Sequence, residues 1–121
     1  MKKQILAAIL AAVAIAVQAA EPQVINVKLD SFKITPNQIT VKAGQPVTLK
    51  VKNEAWFISH DLVIKAPEAG IDIKVNLGGG DSGEATFTPT KPGTYKMYCD
   101  KKSPGGATHD EKGMHGTLVV E

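Results

Sequence analysis

Four side chains in this 121-residue chain have the types and spacing to bind a soft metal ion. Cys99 closes the run Gly93-Thr94-Tyr95-Lys96-Met97-Tyr98, His109 follows in the next polar segment, and Met114 comes five residues after His109. His60 stands far upstream, in Ser59-His60-Asp61-Leu62. Together they supply one thiolate, two imidazoles and one thioether. Soft sulfur donors favour Cu(I) while imidazole accepts both copper oxidation states, so the set suits an ion that cycles by one electron with little rearrangement. Two His and one Cys in a plane, with a weak axial Met, form the donor pattern of a mononuclear copper site.

Taken singly, each residue has an ordinary reading. A lone Cys is usually a small buried hydrophobe and Met a common core filler. His60 could be a satisfied strand-edge residue and His109 a solvated one. The order Cys, His, Met within one segment is what turns the reading toward ligation. His115 competes as an imidazole, but if Met114 points inward, strand geometry turns His115 outward. It is expected to be an exposed strand residue rather than a weak second copper contact with Met97, which shares parity with Cys99 and should fill the core. Trp56 and Phe57 could form a stacking platform, yet packing beneath the ligand loop is the expected role. Tyr95 is placed to make the tyrosine-corner hydrogen bond of sandwich domains.

The elements that must position these residues read as strands. Apolar side chains alternate at Ile25, Val27 and Leu29, at Val47, Leu49 and Val51, and at Ile71, Ile73, Val75 and Leu77. Turn signals such as Thr35-Pro36-Asn37, Ala43-Gly44-Gln45-Pro46 and Lys91-Pro92-Gly93 separate the runs, and no stretch carries a helical stripe. The pattern predicts an antiparallel all-β sandwich or barrel with strands near 23–29, 38–42, 46–52, 60–65, 71–77, 84–88, 93–99 and 115–120. The segment from Asp100 to Gly113 is long for a hairpin connection, which marks it as functional or disordered.

Composition narrows the class further. All 14 basic residues are Lys against 12 acids, without the dense clustering that nucleic-acid backbones require, so nucleic acid is excluded as a partner. One Cys excludes an internal disulfide and any site needing two thiolates. Residues 1–19 read as a cleaved signal peptide: Met1-Lys2-Lys3, then an apolar run from Ile5 to Val17, then small residues around Ala19. That run is too short to span a bilayer, which takes roughly 20 residues. The sequence thus divides into a signal at 1–19 and one domain at 20–121, exported to the periplasm and soluble, with no membrane span in the mature chain. Loss of Lys2 and Lys3 leaves 12 lysines facing 12 acids, so the mature charge is zero.

With these residues in view, the chain resembles the cupredoxins, the family of plastocyanin, azurin and auracyanin. The resemblance covers nearly the whole mature chain and rests on Ser59-His60-Asp61-Leu62, on Pro92-Gly93-Thr94-Tyr95 leading to Cys99, and on His109 through Gly113-Met114-His115-Gly116. It implies a Greek-key β-sandwich of about eight strands holding one Cu(I)/Cu(II) ion on His60, Cys99, His109 and Met114. It also implies that Asp61, where the family often has Asn, ties the ligand loops together, its carboxylate turned outward or bonded to backbone. One departure is the nine residues between Cys99 and His109, where many members have two to five; this resembles small periplasmic copper proteins of copper tolerance.

The implied function is single-electron transfer between redox proteins by a monomer, through transient contacts at the exposed edge of His109, with Gly105, Gly106 and Gly113 allowing close approach. Charges near that edge sum to zero in the sequence and point to no particular partner. The alternative is a copper-homeostasis protein that binds or oxidises periplasmic copper. Enzymatic activity is not expected, because protein groups fill all four coordination positions and leave none open for substrate.

Overall fold

A computed structural model describes residues 22–121; the expected signal segment at 1–19 lies outside them. Nine strands form in chain order: β1 (Gln23–Asp30), β2 (Lys33–Thr35), β3 (Gln38–Val41), β4 (Val47–Asn53), β5 (His60–Ala66), β6 (Ile71–Leu77), β7 (Ser82–Phe87), β8 (Gly93–Tyr98) and β9 (His115–Val120). Two single 3-10 turns, Pro67–Ala69 and Asp110–Lys112, are the only helical pieces among the described residues.

The strands divide into two sheets, a four-stranded one in the order β2-β1-β4-β7 and a five-stranded one in the order β3-β9-β8-β5-β6. Strict alternation in β6, with Ile71, Ile73, Val75 and Leu77 buried and the residues between them exposed, is what one wet face and one core face produce. β4 repeats the pattern with Val47, Leu49, Val51 and Asn53 inward. These residues, with Leu62, Ile64, Met97 and Leu118, fill the space between the sheets.

The sandwich is not wholly antiparallel, as the alternation led us to expect. β1 runs parallel to β4, and β3 parallel to β9, because the chain crosses between sheets before each pairing. β2 is an additional strand of three residues, paired antiparallel to β1. The remaining eight strands fall within two residues of the expected limits, the largest shift being at β7, which starts two residues earlier.

The strand pairing brings the distant ligand candidates to one end. β5 begins at His60 and lies beside β8, which ends immediately before Cys99. β9 begins just after Met114 and also pairs with β8. At the opposite end, the Tyr95 hydroxyl donates to the Lys91 carbonyl at 2.8 Å, the expected corner bond. No helix among the described residues is long and apolar enough to cross a membrane.

Candidate metal centre

Three of the four expected ligands meet at one point. The Nδ1 atoms of His60 and His109 are 3.1 Å apart, and Cys99 Sγ lies 3.8 Å from the first and 3.6 Å from the second. A point equidistant from the three atoms of that triangle is about 2.0 Å from each, the length of a bond from a transition-metal ion to imidazole nitrogen, roughly 2.0–2.1 Å. The triangle therefore has the size of a single ion's equatorial plane, and its donor set is the one that suits copper. Among the described residues this is the one cluster of three such ligand groups.

Met114 joins them through the backbone. Its N–H donates to the His109 carbonyl at 3.0 Å, its carbonyl accepts from the Cys99 N–H at 3.2 Å, and its side chain is fully buried. The long connection does not hold the site open. Ser103 N–H donates to the Ala107 carbonyl and Lys102 pairs with Thr108, so residues 102–108 form a small hairpin of their own. Below it, His109 N–H donates to the Lys101 carbonyl at 2.8 Å and Asp110 N–H to the Cys99 carbonyl at 3.2 Å. The extra residues are looped out, and His109 returns beside Cys99.

Burial sets the protonation of the metal-free site. The Cys99 thiol is pushed up to about 11 by burial, and His60 is pushed down to about 4, first by burial and then by the neighbouring His109. His109 is also lowered, by burial and then by the charges of Lys112 and Lys101. At neutral pH the pocket therefore holds a thiol and two neutral imidazoles. The His60 Nε2 is buried without a hydrogen-bond partner among the described residues.

Asp61 ties the two ligand segments together. Its N–H points at Cys99 Sγ at 3.4 Å, while its Oδ1 accepts from the Asp100 N–H at 2.9 Å. Of the two expected arrangements the backbone bond is the one found, and the carboxylate is fully buried rather than turned outward. Burial raises its pKa. Lys74, from β6, lies 3.7 Å from Asp61 Oδ2 and 2.9 Å from Asp100 Oδ2, and so partly offsets the charge placed beside a thiolate.

Two expectations are corrected. Trp56 and Phe57 do not pack beneath the ligand loop; they are 77% and 99% exposed. The reason is Asn53, whose buried amide donates to the carbonyls of Ile58, Leu77 and Gly78 and accepts from the Ala55 N–H, anchoring the turn without aromatic packing. Gly79 completes that anchor, since a Cβ there would lie 2.0 Å from the Trp56 carbonyl oxygen.

The edge of His109 is not exposed either. The residue is only 4% accessible, with the Phe32 ring packed edge-on against its imidazole at 5.0 Å. Gly105, Gly106 and Gly113 all have φ near +100°, which disfavours any other residue. Met97 is a core residue, as expected. His115 is exposed, also as expected, and lies 2.8 Å from Asp110, which in turn pairs with Lys96.

Phe32 and Asn53 are the site-supporting residues that sequence reasoning missed. Asn53 carried a usable signal, since it continues the inward parity of Val47, Leu49 and Val51 yet is polar. Phe32 carried almost none: it is a lone aromatic in the β1–β2 turn, held at φ 59°, a left-handed conformation that is uncommon for a bulky side chain.

A two-sheet sandwich with a buried His2Cys triangle at one end defines a small mononuclear metal-binding β-domain. A family profile described as a cupredoxin-like domain matches residues 3–120. Plastocyanin A/B of Petroselinum crispum is 34% identical over 94 residues, covering 71% of this chain and 84% of the relative. Among solved structures, auracyanin from Roseiflexus castenholzii superposes with a TM-score of 0.67 at 26% identity, covering 84% of this chain and 98% of its own. Auracyanin A of Chloroflexus aurantiacus, described as a "blue" copper protein, gives 0.66 at 25%, covering 84% and 100%. The chain belongs to the cupredoxin-like family.

Proposed function

We propose that this protein is a periplasmic type 1 copper protein that carries single electrons between redox proteins, and is not itself an enzyme. The observation that carries the reading is the buried triangle of His60, Cys99 and His109, whose size suits one ion and whose donors suit both copper oxidation states. Met114, buried and bonded through its backbone to His109 and Cys99, would complete the set as a weaker thioether donor. When bound, copper supplies a one-electron couple between Cu(I) and Cu(II).

The chain's own residues do the rest. Cys99 gives up its proton to become a thiolate ligand, while His60 and His109, already neutral, present lone pairs without losing one. Two closely packed sheets hold the three donors at nearly the spacing they need, which limits rearrangement on electron exchange. Burial of all four residues keeps water and small anions from adding as further ligands. The description of auracyanin A as a "blue" copper protein agrees with the copper reading; the copper-tolerance reading uses the same ligands, and no separate observation favours it.

The test is reversible redox cycling of the copper-loaded protein. The account expects reduction by dithionite and reoxidation by hexacyanoferrate(III) over repeated cycles, with one electron per chain and copper retained throughout. Loss of copper on reduction, or continued consumption of an added substrate by the oxidised form, contradicts a carrier role.

A further inference from the structure

The long connection from Cys99 reaches His109 through a segment that carries its own side-chain bonds. His109 follows the looped-out hairpin of residues 102–108 and precedes the 3-10 turn Asp110–Lys112, with its φ of −64° and ψ of −31° already helical. Its neighbours in the chain are each fixed. Thr108 N–H donates to Glu111 Oε1 at 2.9 Å, and Glu111 N–H donates to Thr108 Oγ1 at 3.1 Å. The Thr108 hydroxyl also donates to Glu111 Oε1 at 3.0 Å. Thr108-His109-Asp110-Glu111 thus has the bonding of a capping box, in which the first and last residues satisfy each other's backbone donors. His109 lies inside it.

Asp110 is fixed to the sheet. Its Oδ2 lies 2.6 Å from Lys96 Nζ on β8 and its Oδ1 lies 2.8 Å from His115 Nδ1 on β9, while its N–H donates to the Cys99 carbonyl at 3.2 Å. One residue therefore ties the turn to the strand that ends before Cys99 and to the strand that begins after Met114. The His109 carbonyl accepts from the Lys112 and Met114 N–H groups, each at 3.0 Å. Closing a longer loop costs more conformational entropy, and surface loops are the segments that open most readily. Exposed ion pairs add little to global stability, so the consequence of these bonds is local. They fix where the imidazole stands.

We propose that Thr108, Asp110 and Glu111 are positioning residues for copper binding: they hold the His109 imidazole beside Cys99 and His60 before the metal arrives, so that the long connection does not loosen the site. The inference rests on the reading of His109 as a copper ligand and concerns how that ligand is placed. A protein whose binding-competent arrangement is only partly populated loses apparent affinity in proportion to that fraction. The capping box and the Asp110 tie keep the fraction high. None of the three residues bonds to the metal, and no electron or proton passes through them.

Competition for Cu(I) against bicinchoninate, well below the unfolding temperature, tests the proposal. Thr108→Val and Glu111→Ala should each weaken binding by about three- to tenfold, the effect of losing one cap, and Asp110→Ala should weaken it further when combined with either. Thr108→Ser and Glu111→Gln keep the bonding atoms and should stay within about twofold of the wild type. Loss of global stability alone leaves the affinity of the folded molecules unchanged, so this readout separates placement of His109 from general support of the fold. In the metal-free protein, the nuclear magnetic resonances of the His109 ring, which packs against Phe32, should be single in the wild type and broadened or doubled in Thr108→Val. Wild-type affinity in both Thr108→Val and Glu111→Ala, or an equal loss from Thr108→Ser and Thr108→Val, overturns the positioning role while leaving the copper reading intact. If His109→Ala binds Cu(I) as tightly as the wild type, His109 is not a ligand, and the reading on which the inference rests fails with it.

Discussion

Cys99 carries the largest chemical change in this molecule. Its thiol, raised to about 11 by burial, must ionise when copper binds, whereas His60, lowered to about 4, has no proton to lose at neutral pH. Titration of the metal-free protein with Cu(II) at pH 7.5 in weak buffer should therefore release one proton per ion, read with a pH indicator. Release of none removes Cys99 from the ligand set, and release of two means that an imidazole was charged. Asp61 offers a second test. Asn at 61 keeps a carbonyl to accept from Asp100 N–H but takes a buried carboxylate away from the thiolate, so Asp61→Asn should raise the reduction potential by tens of millivolts; about 59 mV corresponds to a tenfold change for one electron. An unchanged potential shows that Lys74 already neutralises the carboxylate completely.

All four ligand candidates were legible in the sequence because chemistry needed their types in that order, and the triangle of His60, Cys99 and His109 was then found in space. Phe32 was not legible. Nothing in Asp30-Ser31-Phe32-Lys33 says that a turn in the four-stranded sheet will lean on a histidine carried by the other sheet. Trp56 and Phe57 misled for the complementary reason: hydrophobic side chains next to a ligand suggest packing, but the polar Asn53 had already satisfied the turn.

Strands and turns divide in the same way. Period-two alternation identifies which face of a strand is buried, so β6 and β9 were placed at their observed limits. Alternation carries no information about neighbours, and the parallel pairs β1 with β4 and β3 with β9 follow from crossovers that no local pattern records. β2, at three residues, is too short to show a period. The connection from Cys99 to His109, expected to be functional or disordered, is ordered by an inner hairpin whose backbone bonds any polar sequence could make. The turn before His60 supports a prediction. Removing the Asn53 amide leaves three buried or half-buried carbonyls without their donor. Asn53→Ala should destabilise the metal-free fold by about 2–4 kcal/mol, given about 1–3 kcal/mol for each unsatisfied buried group. Urea unfolding followed by Trp56 fluorescence measures it, and a loss below about 0.5 kcal/mol, the range of ordinary surface changes, contradicts the anchoring role.

The metal-free molecule should be most stable between the ordinary pKa of His and that of Cys. His60 is depressed in the fold, so its contribution is present above 6.5 and is lost as pH falls toward 4. Cys99 is raised in the fold, so its contribution is present below 9.0 and is lost as pH rises toward 11. Asp61, also raised, acts in the same sense as Cys99 within the acid range and softens the acid loss without reversing its cause. Melting temperature plotted against pH should therefore fall at both ends for the metal-free protein. Bound copper holds Cys99 ionised and His60 unprotonated, so the alkaline fall should disappear and the stability that copper adds should decline from about pH 9 downward, continuing below pH 4. Identical profiles with and without copper contradict the ligand assignment.

The single cysteine and the two closely packed sheets both serve one buried triangle, and the absorption spectrum of the copper-loaded protein tests that claim most directly. Addition of Cu(II) should produce an intense visible band from Cys99 sulfur to copper, saturating at one ion per chain. Cys99→Ser should abolish the band, and His60→Gly should weaken copper binding while Met114→Leu shifts the band and retains the ion. A colourless Cu(II) complex of the wild-type protein, or a band that survives Cys99→Ser, contradicts the account at its centre.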